Sequence, residues 1–343
     1  MPPRSPIVTA SFLRLNGGTS YAIIREISSG NFRRESSSTA YLKTMEKKLL
    51  MPSMLKPGDT IGIAAPASPF DRNRFNKGVS VLESMGFNIY IPEEIYNVKG
   101  YLAGEDYQRA AIINNLFSEK KIKAVFFARG GFGSMKLLPL LDYKTISKNP
   151  KILIGYSDIS ALLSAIYKKC GLISFHGPML TTLADAPKKT IHAMLSVLTS
   201  QSDIKIKPKR AVVLNPGRVS GTLLGGNLST LCHLTGTPYL PYFKDCILVI
   251  EDRGEALYRI DRMLTHMKLA GYFKGLAGLA LGSFTECGQV KEIYKLIQDL
   301  FKEYDIPVLA GLEAGHGKEN ITIPFGLKAD LDTDSKMLSI KWQ

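Results

Sequence analysis

The chain has 343 residues, of which 45% are hydrophobic and 22% are charged, and its formal net charge is +14. The length predicts two domains, and the composition is that of a globular protein, which excludes a fibrous or largely disordered chain. No run of about 18 or more apolar residues occurs, so we predict no membrane-spanning helix. The four cysteines form no Cys-x-x-Cys pair, which favours a reduced, cytoplasmic protein over a disulfide-rich or zinc-knuckle protein.

The positive charge is spread along the chain, without a long basic block or a motif that reads DNA or RNA. A basic field also raises the local concentration of small anionic substrates. We therefore expect an anionic small-molecule substrate and no nucleic-acid partner.

Residues 1–53 differ in character from the rest of the chain. They contain a polar run over 33–39 and lack an apolar core followed by a small-residue cleavage site, so they do not indicate a secretory signal. One interpretation is a transit peptide. The other, which we favour, is a mis-assigned start, with Met45, Met51 or Met54 as the true one. We expect this extension to be poorly ordered or peripheral.

From residue 54 to residue 186, short apolar runs alternate with segments of helical periodicity. Strands alternating with helices at this spacing predict a doubly wound parallel sheet. The predicted strands are 60–65, 87–91, 124–128 and 152–154, and the predicted helices are 72–85, 106–120, one from Ser134 and one from Asp158.

The second half predicts a separate, more strand-rich β/α domain over 218–343. A helix at about 188–199 and a polar stretch rich in Lys and Pro precede it, so 187–217 is expected to be a linker. The predicted strands are 211–214, 246–250, 277–282, 307–310, 320–324 and 337–342, and the predicted helices are 256–270 and 289–303.

The most informative segment is a buried strand that runs into Gly155-Tyr156-Ser157 and then directly into a helix. This is the arrangement of a nucleophile elbow, in which a tight turn exposes the serine hydroxyl and the helix N-terminus favours developing negative charge. The Gly-x-Ser-x-Gly motif is incomplete, because residue 159 is Ile. The alternative is that Ser157 or Asp158 only caps the helix.

A serine nucleophile needs a base, and His316 is the best of the five histidines. It lies between two glycines after a predicted strand, where backbone can approach a ligand. His176 is the second candidate, also after a strand. His192 and His266 lie in predicted helices and are expected to be surface or structural, and His233 is expected in the core.

The orienting acid is predicted to be Glu251, at the carboxyl end of a buried strand, where α/β proteins collect charged site residues. The chain order Ser157, Glu251, His316 is the order found in α/β-hydrolases, although triads recur in several orders. The alternative for Glu251 and Asp252 is an ion pair with the basic residues of 258–262.

A glycine-rich turn, 129–133, follows another predicted strand. Its backbone amides could hold an oxyanion or a phosphate, but it matches neither Gly-x-Gly-x-x-Gly nor the P-loop, so a nucleotide site is weakly supported. We expect the amides of Gly131 and Asp158 to form an oxyanion hole. The alternative is a turn with no ligand. Metal catalysis is poorly supported, because there is no His-Glu-x-x-His motif and the histidines are isolated.

Together these segments resemble the LD-carboxypeptidase family of serine peptidases. The resemblance covers about 54–343, and only the series of motifs makes it specific. The matching landmarks are 56–68, 128–133, 155–158, 176–178, 224–228, 251–252 with 258–262, and 315–317 with Asn320.

The resemblance implies a first domain like that of class I glutamine amidotransferases, which carries Ser157, and a swivelling β/α domain, which carries Glu251 and His316. It implies hydrolysis of the L,D bond that releases terminal D-alanine from murein tetrapeptide in cytoplasmic wall recycling, by a homodimer without a cofactor. We assign substrate binding to Arg129, Gly130 and Asn227. Arg129 is our choice for the partner of the terminal carboxylate, and Arg259 and Arg262 are the alternatives. The alternative for these arginines is that they form only salt bridges within the protein.

A sister branch of the family confers self-immunity to microcin C by cleaving an amide in a peptide-nucleotide. Members of this branch have a longer loop between the serine and the glutamate, and that loop carries an aromatic residue. In this chain no tryptophan lies between Ser157 and Glu251, since the only one is Trp342, so we favour the tetrapeptidase. The remaining alternatives are a small-molecule binding module without turnover and a nucleotide-dependent enzyme.

Overall fold

The computed structural model of the chain describes residues 9–14, 20–25 and 49–342. Strands β1 (Thr9–Arg14) and β2 (Ser20–Arg25) pair antiparallel and belong to the first of two compact units, which ends at residue 46. The expectation of a poorly ordered extension falls almost wholly outside the described residues and stays a prediction.

The second unit, from residue 47, contains both segments for which strands and helices were predicted, 54–186 and 218–343. Its strands, in chain order, are β3 (Thr60–Ala64), β4 (Asn88–Tyr90), β5 (Ile122–Phe127), β6 (Ile152–Gly155), β7 (Ser174–His176), β8 (Ile204–Ile206), β9 (Val212–Asn215), β10 (Arg218–Asn227), β11 (Cys246–Arg253), β12 (Gly278–Thr285), β13 (Val308–Ala310), β14 (Ile323–Phe325), β15 (Lys328–Asp332) and β16 (Met337–Lys341).

The helices of this unit alternate with the strands as the periodicity predicted. They are α1 (Arg72–Ser84), α2 (Asp106–Ser118), α3 (Ser134–Leu137), α4 (Tyr143–Lys148), α5 (Ser160–Cys170), α6 (Leu180–Leu183), α7 (Lys188–Thr199), α8 (Leu228–His233), α9 (Leu257–Leu269) and α10 (Val290–Phe301), with 3₁₀ turns at Glu93–Tyr96, Leu138–Leu140, Ser157–Ile159 and Lys302–Tyr304. Within the part of the chain that the structure describes, no helix is long and apolar enough to cross a membrane.

The first sheet has six strands in the order β14-β7-β6-β5-β3-β4. The five strands from the first half are parallel to one another, and β14 joins antiparallel to β7. Strand β5 is buried at all but one position, as expected of a parallel sheet with helices on both faces. Because parallel strands point the same way, the residues after β5 and β6 meet at one edge, where ligand sites form in such sheets.

The second sheet has eight strands in the order β8-β16-β15-β10-β11-β12-β13-β9. Its central strands β10 to β13 are parallel, and the flanking strands are antiparallel. The mixed α/β architecture with two sheets confirms the predicted fold class at that level.

Over 187–217, the expected linker, the structure has the predicted helix as α7 and the predicted strand as β9, and between them lies β8, which was not predicted. These two strands form the outer edges of the second sheet. Edge strands tolerate charged residues because one side faces solvent, so the Lys-rich composition that suggested a linker is compatible with strand. The alternation of Ile204, Lys205 and Ile206 was the signal for it.

Two further strands depart from the sequence expectations. Strand β10 was missed because its glycines lower strand propensity, yet a Cβ at Gly225 would lie only 2.1 Å from the carbonyl oxygen of Val249, so the close approach to β11 requires glycine there. Strand β14, predicted in the second domain, pairs with β7 of the first sheet, with Ile323 opposite His176. The second segment of the chain therefore returns to complete the first sheet.

Candidate active site

Ser157 lies at a strained turn directly after β6. Its φ is +62°, in the left-handed region that residues with a side chain rarely adopt. The turn needs Gly155 before it, because a Cβ there would lie 2.7 Å from the Ile159 side chain. One 3₁₀ turn and then α5 follow, so Ser157 stands at the N-terminal end of a helix. This is the geometry expected of a nucleophile elbow.

The glycine-rich turn after β5 lies against this serine. A Cβ at Gly130 would be 3.1 Å from Ser157 Cβ and 3.3 Å from Ser157 Oγ. Gly131 has φ +113°, and a Cβ there would be 2.3 Å from Ser68 Oγ. The backbone at Gly130 thus lies close to the Ser157 hydroxyl, which is the approach that a backbone oxyanion donor needs. Glycine is required at Gly131 by its positive φ and by Ser68.

The side chain of Asp158 is buried and faces the glycine-rich turn. Its carboxylate accepts a hydrogen bond from Ser134 N at 2.9 Å. Burial raises the pKa of this carboxyl, and hydrogen bonding to Ser134 and the charge of Arg109 oppose the rise. The carboxylate thus fixes the start of α3 to the serine turn, so any role in holding an oxyanion falls to the Asp158 backbone amide.

Arg109, which sequence reasoning missed, links three backbone segments near the glycine-rich turn. It is 1% exposed and donates to the carbonyl oxygens of Pro66, of Gly104 at 3.2 Å and of Gly133 at 3.3 Å. It also pairs with Asp106. In sequence it is one arginine in a helix with mixed neighbours, which gave no signal of burial.

Glu251 and His316 form a hydrogen-bonded pair at the carboxyl end of β11. His316 Nδ1 lies 2.7 Å from Glu251 Oε2, and the His316 backbone N–H donates to the same oxygen at 3.1 Å. Glu251 is completely buried. A Cβ at Gly315 would be 2.2 Å from Glu251 Oε2, so glycine before the histidine lets the loop close onto the carboxylate. A carboxylate on Nδ1 leaves Nε2 as the nitrogen that can exchange a proton with a nucleophile.

Ser157 and His316 line one open cleft of about 270 Å³, together with Gly130 and Gly131. The structure thus brings together the predicted nucleophile, base and glycine-rich turn, with Glu251 behind the histidine. The other residues that line the cleft are Arg74, Arg129, Tyr156, Met179, Thr181, Thr182 and Arg253.

Tyr156 is a second residue that sequence reasoning missed. Its ring lies edge-on to the His316 ring, with 4.8 Å between centroids. Burial raises the pKa of its phenol to about 12, so it stays neutral. Its position between Gly155 and Ser157 was visible, but nothing in the sequence indicated packing on a histidine 160 residues away, since 316 − 156 = 160.

Three arginines line the cleft, and two of them already have carboxylate partners. Arg74 pairs with Asp185 at 2.9 Å, and Arg253 pairs with Glu286 at 2.8 Å. Arg129 donates to the carbonyl oxygen of Pro69 at 2.8 Å and is the one cleft arginine in the described part of the chain without a carboxylate partner.

The two alternative arginines lie elsewhere. The guanidinium carbons of Arg259 and Arg262 lie 5.9 and 5.3 Å from the centroid of the Tyr258 ring, and Arg259 also pairs with Glu255. Neither is among the residues that line the cleft. The interpretation of these two as structural is therefore the one that the geometry favours.

The geometry gives no support to the expected role of Asn227 in substrate binding. Its side chain is buried, donates to Asp252 Oδ1 at 2.8 Å and accepts from Thr230 N at 3.0 Å. It therefore caps α8 and ties that helix to β11. Both ends of its amide already have protein partners, and it does not line the cleft.

His176, the second candidate base, is completely buried and does not line the cleft. Burial lowers the pKa of its imidazole to about 4. His192 and His266 are exposed, as expected. The expectation of a core position for His233 was wrong: it is exposed at the last turn of α8, with Nδ1 2.7 Å from the Ser229 carbonyl oxygen. Among the described residues, no group of three or more His, Cys, Asp or Glu could hold a metal ion.

Comparison with known proteins matches two family descriptions to this chain. Residues 61–177 match "LD-carboxypeptidase N-terminal domain", and residues 220–331 match "LD-carboxypeptidase C-terminal domain".

Curated relatives align over most of the chain. "Probable murein peptide carboxypeptidase" of Bacillus subtilis (strain 168) is 36% identical and covers 84% of this chain and 94% of its own. "Murein tetrapeptide carboxypeptidase" of Pseudomonas aeruginosa is 34% identical, with 79% and 92% covered. "Microcin C7 self-immunity protein MccF" of Escherichia coli is 32% identical, with 86% and 96% covered.

Solved structures share the fold over the same extent. An MccF-like protein from Bacillus anthracis has a TM-score of 0.82 at 27% identity, with 86% of this chain and 100% of that chain covered. A muramoyltetrapeptide carboxypeptidase from Oxalobacter formigenes has a TM-score of 0.74 at 30% identity, with 82% and 98% covered.

Proposed function

This chain belongs to the LD-carboxypeptidase family, and we propose that it is a serine peptidase that releases terminal D-alanine from murein tetrapeptide during wall recycling. The family and the relatives named as murein peptide carboxypeptidases support a carboxypeptidase of this class. The observation that carries the proposal is the Glu251–His316 pair, whose histidine lines one cleft with the strained Ser157.

In the proposed mechanism, Ser157 Oγ attacks the carbonyl carbon on the L side of the scissile amide, and His316 Nε2 takes its proton. Glu251 holds the imidazole by its Nδ1–H and stabilises the cation that forms. The amides of Gly131 and Asp158 donate to the oxyanion. A preorganised donor of this kind lowers the barrier by about 3 kcal/mol.

Collapse of the tetrahedral intermediate breaks the amide bond, and His316 gives its proton to the leaving nitrogen of D-alanine. An ester then links the remaining peptide to Ser157. A water, deprotonated by His316, attacks this ester and frees the serine. Every proton that leaves a nucleophile therefore passes through the one histidine, and no redox or metal step is needed.

Arg129 is the proposed partner of the substrate's terminal carboxylate. It lies at the rim next to Gly130, and the other two cleft arginines are paired with Asp185 and Glu286. A guanidinium binds a carboxylate by two parallel hydrogen bonds. Such a contact would restrict the enzyme to substrates that end at the residue after the scissile bond.

The finer features of the proposal follow from the family resemblance. We propose a first domain like that of class I glutamine amidotransferases, a swivelling second domain, a homodimeric assembly and a cytoplasmic location. The first sheet, with five parallel strands and the elbow after β6, is compatible with the first of these.

The second candidate function is cleavage of aminoacyl or peptidyl nucleotides, as in microcin C self-immunity. The 32% identity to the Escherichia coli protein favours it. That alignment runs over 331 positions while covering 86% of this chain, so the relative contains inserted residues that this chain lacks. No tryptophan lies between Ser157 and Glu251 to stack on a base, and we therefore favour the tetrapeptidase.

A substrate panel tests the choice. The full chain is incubated with each of four substrates, and the released amino acids are quantified. The substrates are purified murein tetrapeptide, the matching pentapeptide, a tetrapeptide that ends in L-alanine and an aminoacyl sulfamoyl nucleoside. D-alanine release confined to the tetrapeptide supports the proposal. Cleavage of the nucleoside conjugate alone supports the second function, and no cleavage of any substrate contradicts both.

A further inference from the structure

Glu251 and three other buried side chains carry polar atoms without a hydrogen-bond partner in the described part of the chain. Each of the four side chains is at most 7% exposed. The unpaired atoms are Glu251 Oε1, Asn320 Nδ2, Thr322 Oγ1 and both ring nitrogens of His176.

The first two of these side chains are neighbours through the loop that carries the histidine. Glu251 Oε2 stands 2.2 Å from where a Cβ of Gly315 would be. The backbone N–H of Gly315 donates to Asn320 Oδ1 at 2.9 Å. The oxygen of the Asn320 amide is thereby fixed, while its Nδ2 donor has no partner among the described residues.

The other two lie where β14 meets β7. Thr322 Oγ1 is 2.7 Å from where a Cβ of Gly177, the residue after His176, would be. Thr322 also directly precedes Ile323, which pairs with His176 across the two strands. The charge of Glu251 acts on the His176 ring, and Asn320 and Thr322 are two residues apart. We therefore treat the four side chains as one cluster.

Tyr156 fixes the position of His176 relative to the catalytic histidine. Its ring contacts His316 at 4.8 Å and His176 at 6.0 Å between centroids. His176 also packs on Phe325 at 5.6 Å. Burial keeps His176 neutral, so it offers one N–H donor and one acceptor nitrogen.

The chemistry of the unpaired atoms is complementary. A carboxylate oxygen only accepts, an amide nitrogen only donates, and a hydroxyl and a neutral imidazole do both. Buried polar groups of this kind are strongly disfavoured without partners, and ordered water satisfies them by making about three hydrogen bonds at once. Water is therefore the ligand that fits the cluster.

We propose that ordered water bound in this cluster bridges Glu251 Oε1 to His176 and Asn320, and that His176 is a positioning residue that holds the acid of the Glu251–His316 pair. The cluster then fixes both oxygens of Glu251: Oε2 by His316 and Oε1 by the bridge. A fixed carboxylate keeps the His316 ring oriented towards Ser157. The kinetic part of the inference rests on the proposed function, and the bound water does not.

Several charged or titratable groups face Glu251 and His316 from the elements around them. Asp252 follows on the same strand, and burial raises its pKa to about 6. Tyr156 and Arg253 line the cleft, Glu286 pairs with Arg253, and the buried His176 packs on Tyr156. A substitution at His176 leaves the other four unchanged, so a change in the pH profile of the variant reports on the bridge.

The structural test is a crystal structure of the full-length wild-type chain at better than about 1.5 Å, where ordered water and its distances are resolved. The expected result is density within hydrogen-bond distance of Glu251 Oε1 and of a His176 nitrogen. A dry contact between the two side chains, or a water that reaches neither, would overturn the proposal. This test does not require activity, so it separates failure of the bridge from failure of the proposed function.

The kinetic test compares His176→Phe, His176→Asn and His176→Gln, with Ser174→Ala as the matched control. Phenylalanine keeps the packing on Tyr156 and Phe325 but cannot hydrogen-bond. Asn and Gln restore a polar atom near the position of one or the other ring nitrogen. Ser174 is also a buried, unpaired hydroxyl on β7, and it lines a separate small pocket with Leu163 and Phe243.

For His176→Phe, loss of a hydrogen bond to a buried charge is expected to lower kcat about tenfold. Without this hydrogen bond, the negative charge of Glu251 is less compensated and favours the protonated form of His316. The acid limb of the kcat/KM profile therefore moves to higher pH by about one unit. Asn or Gln recovers the profile, and Ser174→Ala leaves it unchanged. A folded Phe variant with the wild-type limb, or a limb that Ser174→Ala moves equally, would contradict the role of His176.

Discussion

Replacing Arg109 with methionine should destabilise the protein strongly, although no substrate touches this residue. The guanidinium is fully buried and donates to the carbonyl oxygens of Pro66, Gly104 and Gly133. Methionine fills a similar length of the site but leaves the oxygens of Pro66 and Gly104 without a donor, and that of Gly133 keeps only the Lys136 backbone N–H at 3.2 Å. Each buried, unpaired polar group costs about 1–3 kcal/mol, and the lost pair with Asp106 adds about 0–1 kcal/mol, because Asp106 is 34% exposed and keeps Lys136 as a partner. We expect a loss of about 3–5 kcal/mol in the free energy of unfolding.

The measurement is equilibrium unfolding in urea, followed by circular dichroism, with midpoints compared between variants. Lys136→Met is the matched control. Lys136 Nζ lies 3.0 Å from Oδ2 of the same Asp106, in an exposed ion pair, and such a pair contributes about 0–1 kcal/mol. Arg109→Lys keeps the charge but has fewer donors, so its midpoint should lie between. The reasoning is refuted if Arg109→Met unfolds at the same midpoint as Lys136→Met.

Further predictions concern the serine turn, the glycine-rich turn, the buried histidine and the cleft arginine. Ser157→Gly and Ser157→Ala should both be inactive, but the glycine variant should be more stable by about 1 kcal/mol in urea unfolding, because φ is +62° there; equal stability would argue against a strained elbow. Gly131→Ala should lower kcat at least about a hundredfold, since its Cβ would meet Ser68, and Ser68→Gly in the same chain should restore part of the rate; an active single variant would remove Gly131 from the oxyanion hole. Burial holds the pKa of His176 at about 4, below the ordinary value of about 6.5, so the unfolded chain binds one more proton between these values, and stability must fall as pH drops through this window. Wild type should lose about 3 kcal/mol there that His176→Phe does not lose, and parallel urea midpoints at pH 7 and pH 4 would contradict this. Arg129→Ala should raise KM for the tetrapeptide about tenfold with a smaller effect on kcat; an unchanged KM would assign the terminal carboxylate to another group.

The serine turn could be predicted from sequence because its signals are local. A strand, a glycine, a tyrosine and a serine follow one another over residues 152–157, and a helix follows directly. Glu251 and His316 were found by a similar rule, since each follows a buried strand. That rule states where polar residues collect but gives no distance, so the contact of 2.7 Å between them needed the structure.

The features that could not be predicted depend on contacts between distant segments. Arg109 resembles a surface arginine in its own helix, and its burial is set by loops 43 residues before and 24 residues after it. Strand β10 is hidden by glycines whose purpose is contact with β11. Strand β14 lies in the predicted second domain yet pairs with β7 of the first sheet. Local periodicity carries no information on which sheet a strand joins.

For Asn227 the sequence suggested a role that the geometry does not support. It lies in a landmark of the family resemblance, and that position suggested a role with substrate. In the structure its amide caps α8 and binds Asp252. A motif can thus be specific to a family because the fold needs it, without any contact to the ligand.

The measurement that tests the central claim most directly is D-alanine release from purified murein tetrapeptide by wild type and by Ser157→Ala. Circular dichroism of both proteins serves as the control for folding. The account predicts release by wild type and a loss of at least about a thousandfold in the variant, because the nucleophile is gone while binding groups remain. Equal release by a folded Ser157→Ala variant would contradict the account and place the nucleophile elsewhere.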